Sequence, residues 1–198
     1  MTRPEPNGPM TRARLLAAAG TAAAGAFAIG TRRGGGVSLA AKRGDDAEIL
    51  AFFLTLEQVQ EDFYRHALEQ GGIDGELRRL ATTVAAQEHQ HARVLLGHLG
   101  DRTQPRARTD FSEVAGSPEA FLRAAIELEE TAIAGYIGQS GNLSRGRVGT
   151  IARLVSVEAR QAAWLRSLTK ANPAPRAADP ARKAERVLDD LREKGWLA

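Results

Sequence analysis

The chain has 198 residues, 43% of them hydrophobic and none of them cysteine, which suits about one domain and excludes disulfides and thiolate-bound metals. Its formal charge of +3 is unevenly spread: residues 1–44 hold seven Lys/Arg against one acid, and residues 45–198 hold 20 against 23. The basicity sits in the N-terminal segment, so charge gives no ground for a nucleic-acid partner.

That segment has the layout of a targeting sequence. Arg3, Arg12 and Arg14 precede LLAAAGTAAAGAFAIG, 16 residues from Leu15 to Gly30, too short and too weakly apolar for a bilayer span. Ser38–Ala40 (SLA) supplies small residues for cleavage. The run TRARLL resembles a twin-arginine signal with Ala13 in place of the second arginine, and Arg32 and Arg33 after the apolar run depart from the usual layout. Residues 1–44 are therefore expected to be an export signal and linker, delivering the chain to the periplasm or cell envelope with no stable membrane span once removed. The alternatives are an uncleaved anchor or a tail, and the export route stays open.

The remainder reads as helices. DDAEILAFFLTLEQVQEDFYRHALEQ opens with acids and stops at Gly71-Gly72, predicting a helix near 45–70. GELRRLATTVAAQEHQHARVLLGHLG predicts a second near 75–99. About 17 residues of loop character follow, DRTQPRARTDFSEVAGS. Ser117-Pro118 then gives an N-cap with proline at the first helical position, opening a third helix near 118–138. GQSGNLSRGRVG reads as a turn, and the fourth helix is expected near 149–170. ANPAPRAADP breaks it, and a short amphipathic tail, ARKAERVLDDLREKGWLA, is expected to pack outside. Short links within each helix pair and one long connection between the pairs give an all-α, four-helix bundle with a single crossover between helices two and three. The bundle spans 45–172 and the tail 173–198.

Each of the four helices places a glutamate on its apolar stripe. Phe53, Leu56, Phe63 and Tyr64 frame Glu57, and Val84 and Leu95 frame Glu88 and His91. Leu122, Ala125, Ala132 and Tyr136 frame Glu129, while Leu154, Ala162 and Leu165 frame Glu158 and Gln161. An apolar face covers roughly a third of a helix, so four coincidences have a chance on the order of one in a hundred. Four buried carboxylates without a counterion repel one another and lose solvation, which a pair of divalent cations relieves.

An internal repeat points the same way. LEQVQEDFY (56–64) and LEETAIAGY (128–136) share Leu-Glu with Tyr seven residues after the Glu; EHQHARVL (88–95) and EARQAAWL (158–165) share Glu-x-x-(His/Gln)-Ala-x-x-Leu. Carboxylate-bridged di-metal bundles take a Glu from each of two helices and Glu-x-x-His from each of the other two. The three-residue step sets both groups of a pair on one helix face.

In these stretches, from about Asp45 to Pro180, the chain resembles the ferritin-like domain family, close to exported bacterial members that include desiccation-related proteins. The resemblance implies a ferritin-like bundle with metal positions at Glu57, Glu88, His91, Glu129, Glu158 and Gln161. The last is a histidine in the family pattern, and an amide oxygen is a weaker donor than imidazole, so the second metal position is in doubt. One or two ions of iron or manganese are expected, with dioxygen or peroxide as co-reactants of an oxidase or ferroxidase-type activity. The alternatives are a non-catalytic metal-sequestering or stress- and desiccation-protection protein with a degenerate site, and a bundle that has lost its metal. Whether the chain is an enzyme, and its oligomeric state (a homodimer being one candidate), stay open.

Among other candidates, Glu130 borders the apolar face and competes with Glu129, which the repeat favours by aligning it with Glu57. Tyr64 and Tyr136 are either hydrogen-bond donors behind the site or core tyrosines. His89 and His98 read as surface and bundle-end residues, and Arg160, Trp164 and Trp196 as packing and surface residues.

Overall fold

The computed structural model describes residues 45–114 and 117–198; residues 1–44, read above as the export segment, lie outside them. Among the described residues the chain is all-helical, with α1 (Asp46–Gln70), α2 (Gly75–Leu99), α3 (Pro118–Ser140), α4 (Arg145–Leu168) and a short α5 (Ala184–Glu193). The Asp45 carboxylate caps α1 by accepting the Ala47 N–H at 2.9 Å, and Gly71 ends the helix in the left-handed region at φ 72°. Ser117 caps α3 from the Ala120 N–H at 3.2 Å, with Pro118 following it.

The fourth helix differs from expectation by starting at Arg145 rather than near 149. Gly146 and Gly149 suggest a turn, and each costs a helix about 1 kcal/mol relative to alanine. Tertiary contacts override that cost. The Ser144 N–H and hydroxyl donate to the Asp46 carboxylate at 2.8 and 2.6 Å, and Leu143 is buried, so the first turn of α4 is tied to the first turn of α1.

Helix α1 packs chiefly on α2 and α3 chiefly on α4, with α1 and α3 meeting between the pairs. Along α1 the inward residues run Phe53, Glu57, Gln60, Phe63, Tyr64, all buried. A polar layer is thereby set between two aromatic ones. Above it Phe63 stacks on Phe121 at 5.4 Å and meets Phe111 at 5.3 Å; below it Phe53 stacks on Tyr136 at 4.2 Å. Full burial of one such ring is worth about 1.5–3 kcal/mol, so these layers fix the positions of the residues between them.

The crossover is fastened to the outer side of α1. Arg106 donates to Asp62 at 2.6 Å and to Glu61 at 2.9 Å, and the Thr109 hydroxyl reaches Asp62 at 3.0 Å. The C-terminus returns to the same loop: Thr109 and Leu197 form an isolated bridge, and the Ala198 N–H donates to the Arg108 carbonyl. Trp196, buried, meets Phe111 at 6.1 Å. The tail helix α5 packs on α3, burying Val187 and Leu191. Just before it, the Arg182 N–H donates to the Ala134 carbonyl. The chain crosses α3 at Gly138, where a Cβ would stand 1.8 Å from the Arg182 carbonyl oxygen.

Candidate metal centre

Inward residues three, four or seven apart share a helix face, and four helices bring such faces together. Glu57, Glu88, Glu129 and Glu158 are all fully buried, with His91 and Gln161 7% and 3% exposed. Glu57, Glu88, His91 and Glu158 each offer one ligating atom, and these atoms lie within 4.8 Å of one another. His91 Nδ1 is the hub, 2.9 Å from Glu158 Oε1 and 3.2 Å from both Glu57 Oε2 and Glu88 Oε2.

Glu129 is buried in the same layer but stands outside that group of four. Its carboxylate accepts from the Tyr64 hydroxyl and, at 2.9 Å, from Gln60 Nε2. Gln161 also turns elsewhere: its Nε2 donates to Glu88 Oε1 at 2.6 Å and to Gln87 Oε1 at 3.0 Å. Glu129 and Glu130 differ in their partners. Glu130 is partly exposed and receives Arg166 at 2.7 Å. His89 is exposed and lies 2.9 Å from Glu61, and His98 accepts from Arg147 at 2.6 Å. Both stand apart from the four-residue group.

The two tyrosines cross over between the helices that form the pseudo-two-fold. Tyr64 of α1 donates to Glu129 of α3, and Tyr136 of α3 donates to Glu57 of α1. Both are fully buried hydrogen-bond donors behind the carboxylates. Burial and then the adjacent charge, Glu129 for Tyr64 and Glu57 for Tyr136, push both phenols well above their ordinary range, so each remains a proton donor.

The electrostatics are those of crowded acids around one base. Burial, followed by the Glu158 charge, raises Glu88 and Glu129 well above the usual carboxylate range; burial and then the Glu57 charge raise Glu158. For His91 burial alone favours the neutral ring, but contacts with Glu158, Glu57 and Glu88 outweigh it and push the pKa up to about 12. The imidazolium thus serves as the cluster's counterion when protons, rather than a cation, balance the acids.

Gln60 was not among the residues singled out from the sequence. Its Nε2 donates to Glu129 Oε2 at 2.9 Å and to Glu158 Oε2 at 2.8 Å. The signal was available: Glu57-x-x-Gln60 has the same three-residue step as Glu88-x-x-His91 and Glu158-x-x-Gln161.

A family model for the ferritin-like domain matches residues 45–171. The chain belongs to the ferritin-like domain family. No curated protein matches it. The family, the bundle and the buried Glu/His cluster are together compatible with metal binding. The donor set is also chemically suited to it, since carboxylates with one imidazole are the ligands that manganese and iron accept. Among the described residues no helix is long and apolar enough to cross a membrane.

Proposed function

We propose that this ferritin-like chain is exported and binds iron or manganese in its carboxylate-rich core, with Glu57, Glu88, His91 and Glu158 as the ligands. The observation that carries the reading is the convergence of those four buried ligating atoms within 4.8 Å. A bound ion would supply one-electron chemistry toward dioxygen or peroxide. The chain's own residues hold and shield the site. Tyr136 fixes Glu57 from behind, Gln161 fixes Glu88, and the aromatic layers above and below keep bulk water from the acids.

A second reading, metal sequestration in envelope stress or desiccation without turnover, draws support from burial. All four glutamates are fully buried and His91 is 7% exposed, which suits retention of an ion better than exchange of reactants. Elemental analysis of the full chain, purified without added metal, separates binding from a metal-free relic: iron or manganese at a fixed ratio to protein is expected, and its absence from folded protein defeats the proposal. Iron(II) oxidation by the loaded chain under dioxygen or peroxide separates the two readings. Fusion of residues 1–44 to a reporter that works only outside the cytoplasm tests export. The native segment should give signal, and Ala23→Asp with Phe27→Asp should abolish it.

A further inference from the structure

The repeat that relates the two helix pairs defines two half-sites. One combines Glu57 with Glu88 and His91; the other combines Glu129 with Glu158 and Gln161. The side chains treat them differently. Glu88 and Glu158, equivalent in the repeat, each direct their two oxygens to different partners. Glu158 Oε1 and Glu88 Oε2 both face His91, at 2.9 and 3.2 Å. Their other oxygens are taken by amides: Glu158 Oε2 accepts from Gln60 Nε2 at 2.8 Å, and Glu88 Oε1 accepts from Gln161 Nε2 at 2.6 Å. Gln60 Nε2 also holds Glu129 Oε2, at 2.9 Å.

We infer that this chain is built to hold one metal ion, and that the carboxamide nitrogen of Gln60 occupies, between Glu129 and Glu158, the place of a second. The inference rests on the metal-binding reading above and names its stoichiometry. A primary amide has two N–H bonds, and Gln60 directs its nitrogen at Glu129 Oε2 and Glu158 Oε2. Gln60 Oε1, also buried, has no hydrogen-bond partner among the described residues, so the side chain is held by its nitrogen. A cation bound between Glu129 and Glu158 would have to displace that nitrogen. The substitution is confined to one side. The repeat aligns Gln60 with Ala132, as it aligns Glu57 with Glu129 and Tyr64 with Tyr136. The half-site that gains an amide donor from α1 is also the one that lacks an imidazole on α4. Two neutral amides thus do for the outer oxygens what a second cation does in a dinuclear site, and leave the inner oxygens for one ion.

Anaerobic titration of the full chain with Mn(II), read by bound metal and by electron paramagnetic resonance, tests this. The native chain should saturate at about one ion per chain with the signal of an isolated ion. Gln60→Ala should open the second position, roughly doubling the bound metal and giving a spin-coupled signal, more completely when combined with Gln161→His. Gln60→Met, which keeps length and volume but has no N–H, serves where the alanine variant does not fold. Two coupled ions in the native chain would overturn the inference while leaving metal binding in place. A folded Gln60→Ala or Gln60→Met chain that still stops at one ion would also overturn it. Folded native chain that takes none defeats the metal-binding reading itself, and the inference with it.

Discussion

The α1–α2 and α3–α4 pairs begin from one pattern and end with different jobs. Each contributes two buried glutamates and a tyrosine that reaches across to the other pair. At the position three residues after the second glutamate, α2 has His91, in contact with three carboxylates, whereas α4 has Gln161, which turns to Glu88 and Gln87. At the equivalent positions on the other two helices, α1 has Gln60 and α3 has Ala132. The first pair thus supplies three of the four clustered side chains that could hold an ion, and the second supplies only Glu158. A repeat preserves a scaffold far more strictly than a site: helix register is set by many apolar contacts, but two side chains suffice to decide whether a half-site binds a cation or a hydrogen-bond donor.

The sharpest way to break this comparison is to remove the residue at the equivalent position in each pair. His91→Ala should weaken Mn(II) binding by more than about 100-fold, whereas Gln161→Ala, which only supports a proposed ligand, should cost less, about 10–100-fold. Isothermal titration of both variants checks this, and equal losses would mean that the half-sites are equivalent.

Proton linkage offers the next largest contrast. In the metal-free chain Glu88, Glu129 and Glu158 keep protons above the ordinary carboxylate value of about 4.3, and His91 keeps its proton from about 6.5 up to about 12. The folded state is therefore the more protonated one over this range, and metal-free stability should fall as pH rises. Metal binding needs those protons gone. The increment in melting temperature on adding Mn(II), worth about 2.7 kcal/mol at free metal a hundred times Kd, should be largest at mildly alkaline pH and vanish toward pH ~5. Differential scanning calorimetry across pH reads both slopes.

A smaller contrast concerns the tail. The repeat aligns Gly138 of α3 with His66 of α1, and only Gly138 lies beneath the chain at Arg182. Gly138→Ala should cost about 1–3 kcal/mol in denaturant unfolding by forcing that segment away, with metal binding unchanged. Smaller still is the tyrosine pair. Tyr136→Phe and Tyr64→Phe should each cost the metal-free chain about 1 kcal/mol, but only Tyr136→Phe, which releases the ligand Glu57, should also change Mn(II) affinity.

The bundle was legible because its signals are periodic and local. Apolar stripes, the Ser117-Pro118 start and the Gly71 and Gly100 stops locate α1 to α3 closely. The start of α4 was missed because its stabilisation comes from Asp46, 98 residues away in sequence, and no local pattern reports such a contact. The buried glutamates were legible for the same periodic reason. What the stripe could not tell is which way a side-chain amide turns once inside. Gln161 lies on the expected face yet directs its nitrogen at Glu88, and Gln60 went unnoticed because a glutamine beside an acid looks like a solvated neighbour until the opposite helices are in place. The expectation of export rests on the arginines and apolar run of residues 1–44, which lie outside the described residues.

The most direct measurement is anomalous scattering at the manganese edge from crystals of the chain loaded with Mn(II). One peak enclosed by Glu57, Glu88, His91 and Glu158, with Gln60 still bonded to Glu129 and Glu158, is the expected result. A peak between Glu129 and Glu158, or no peak among the four ligands in loaded protein, would contradict the account.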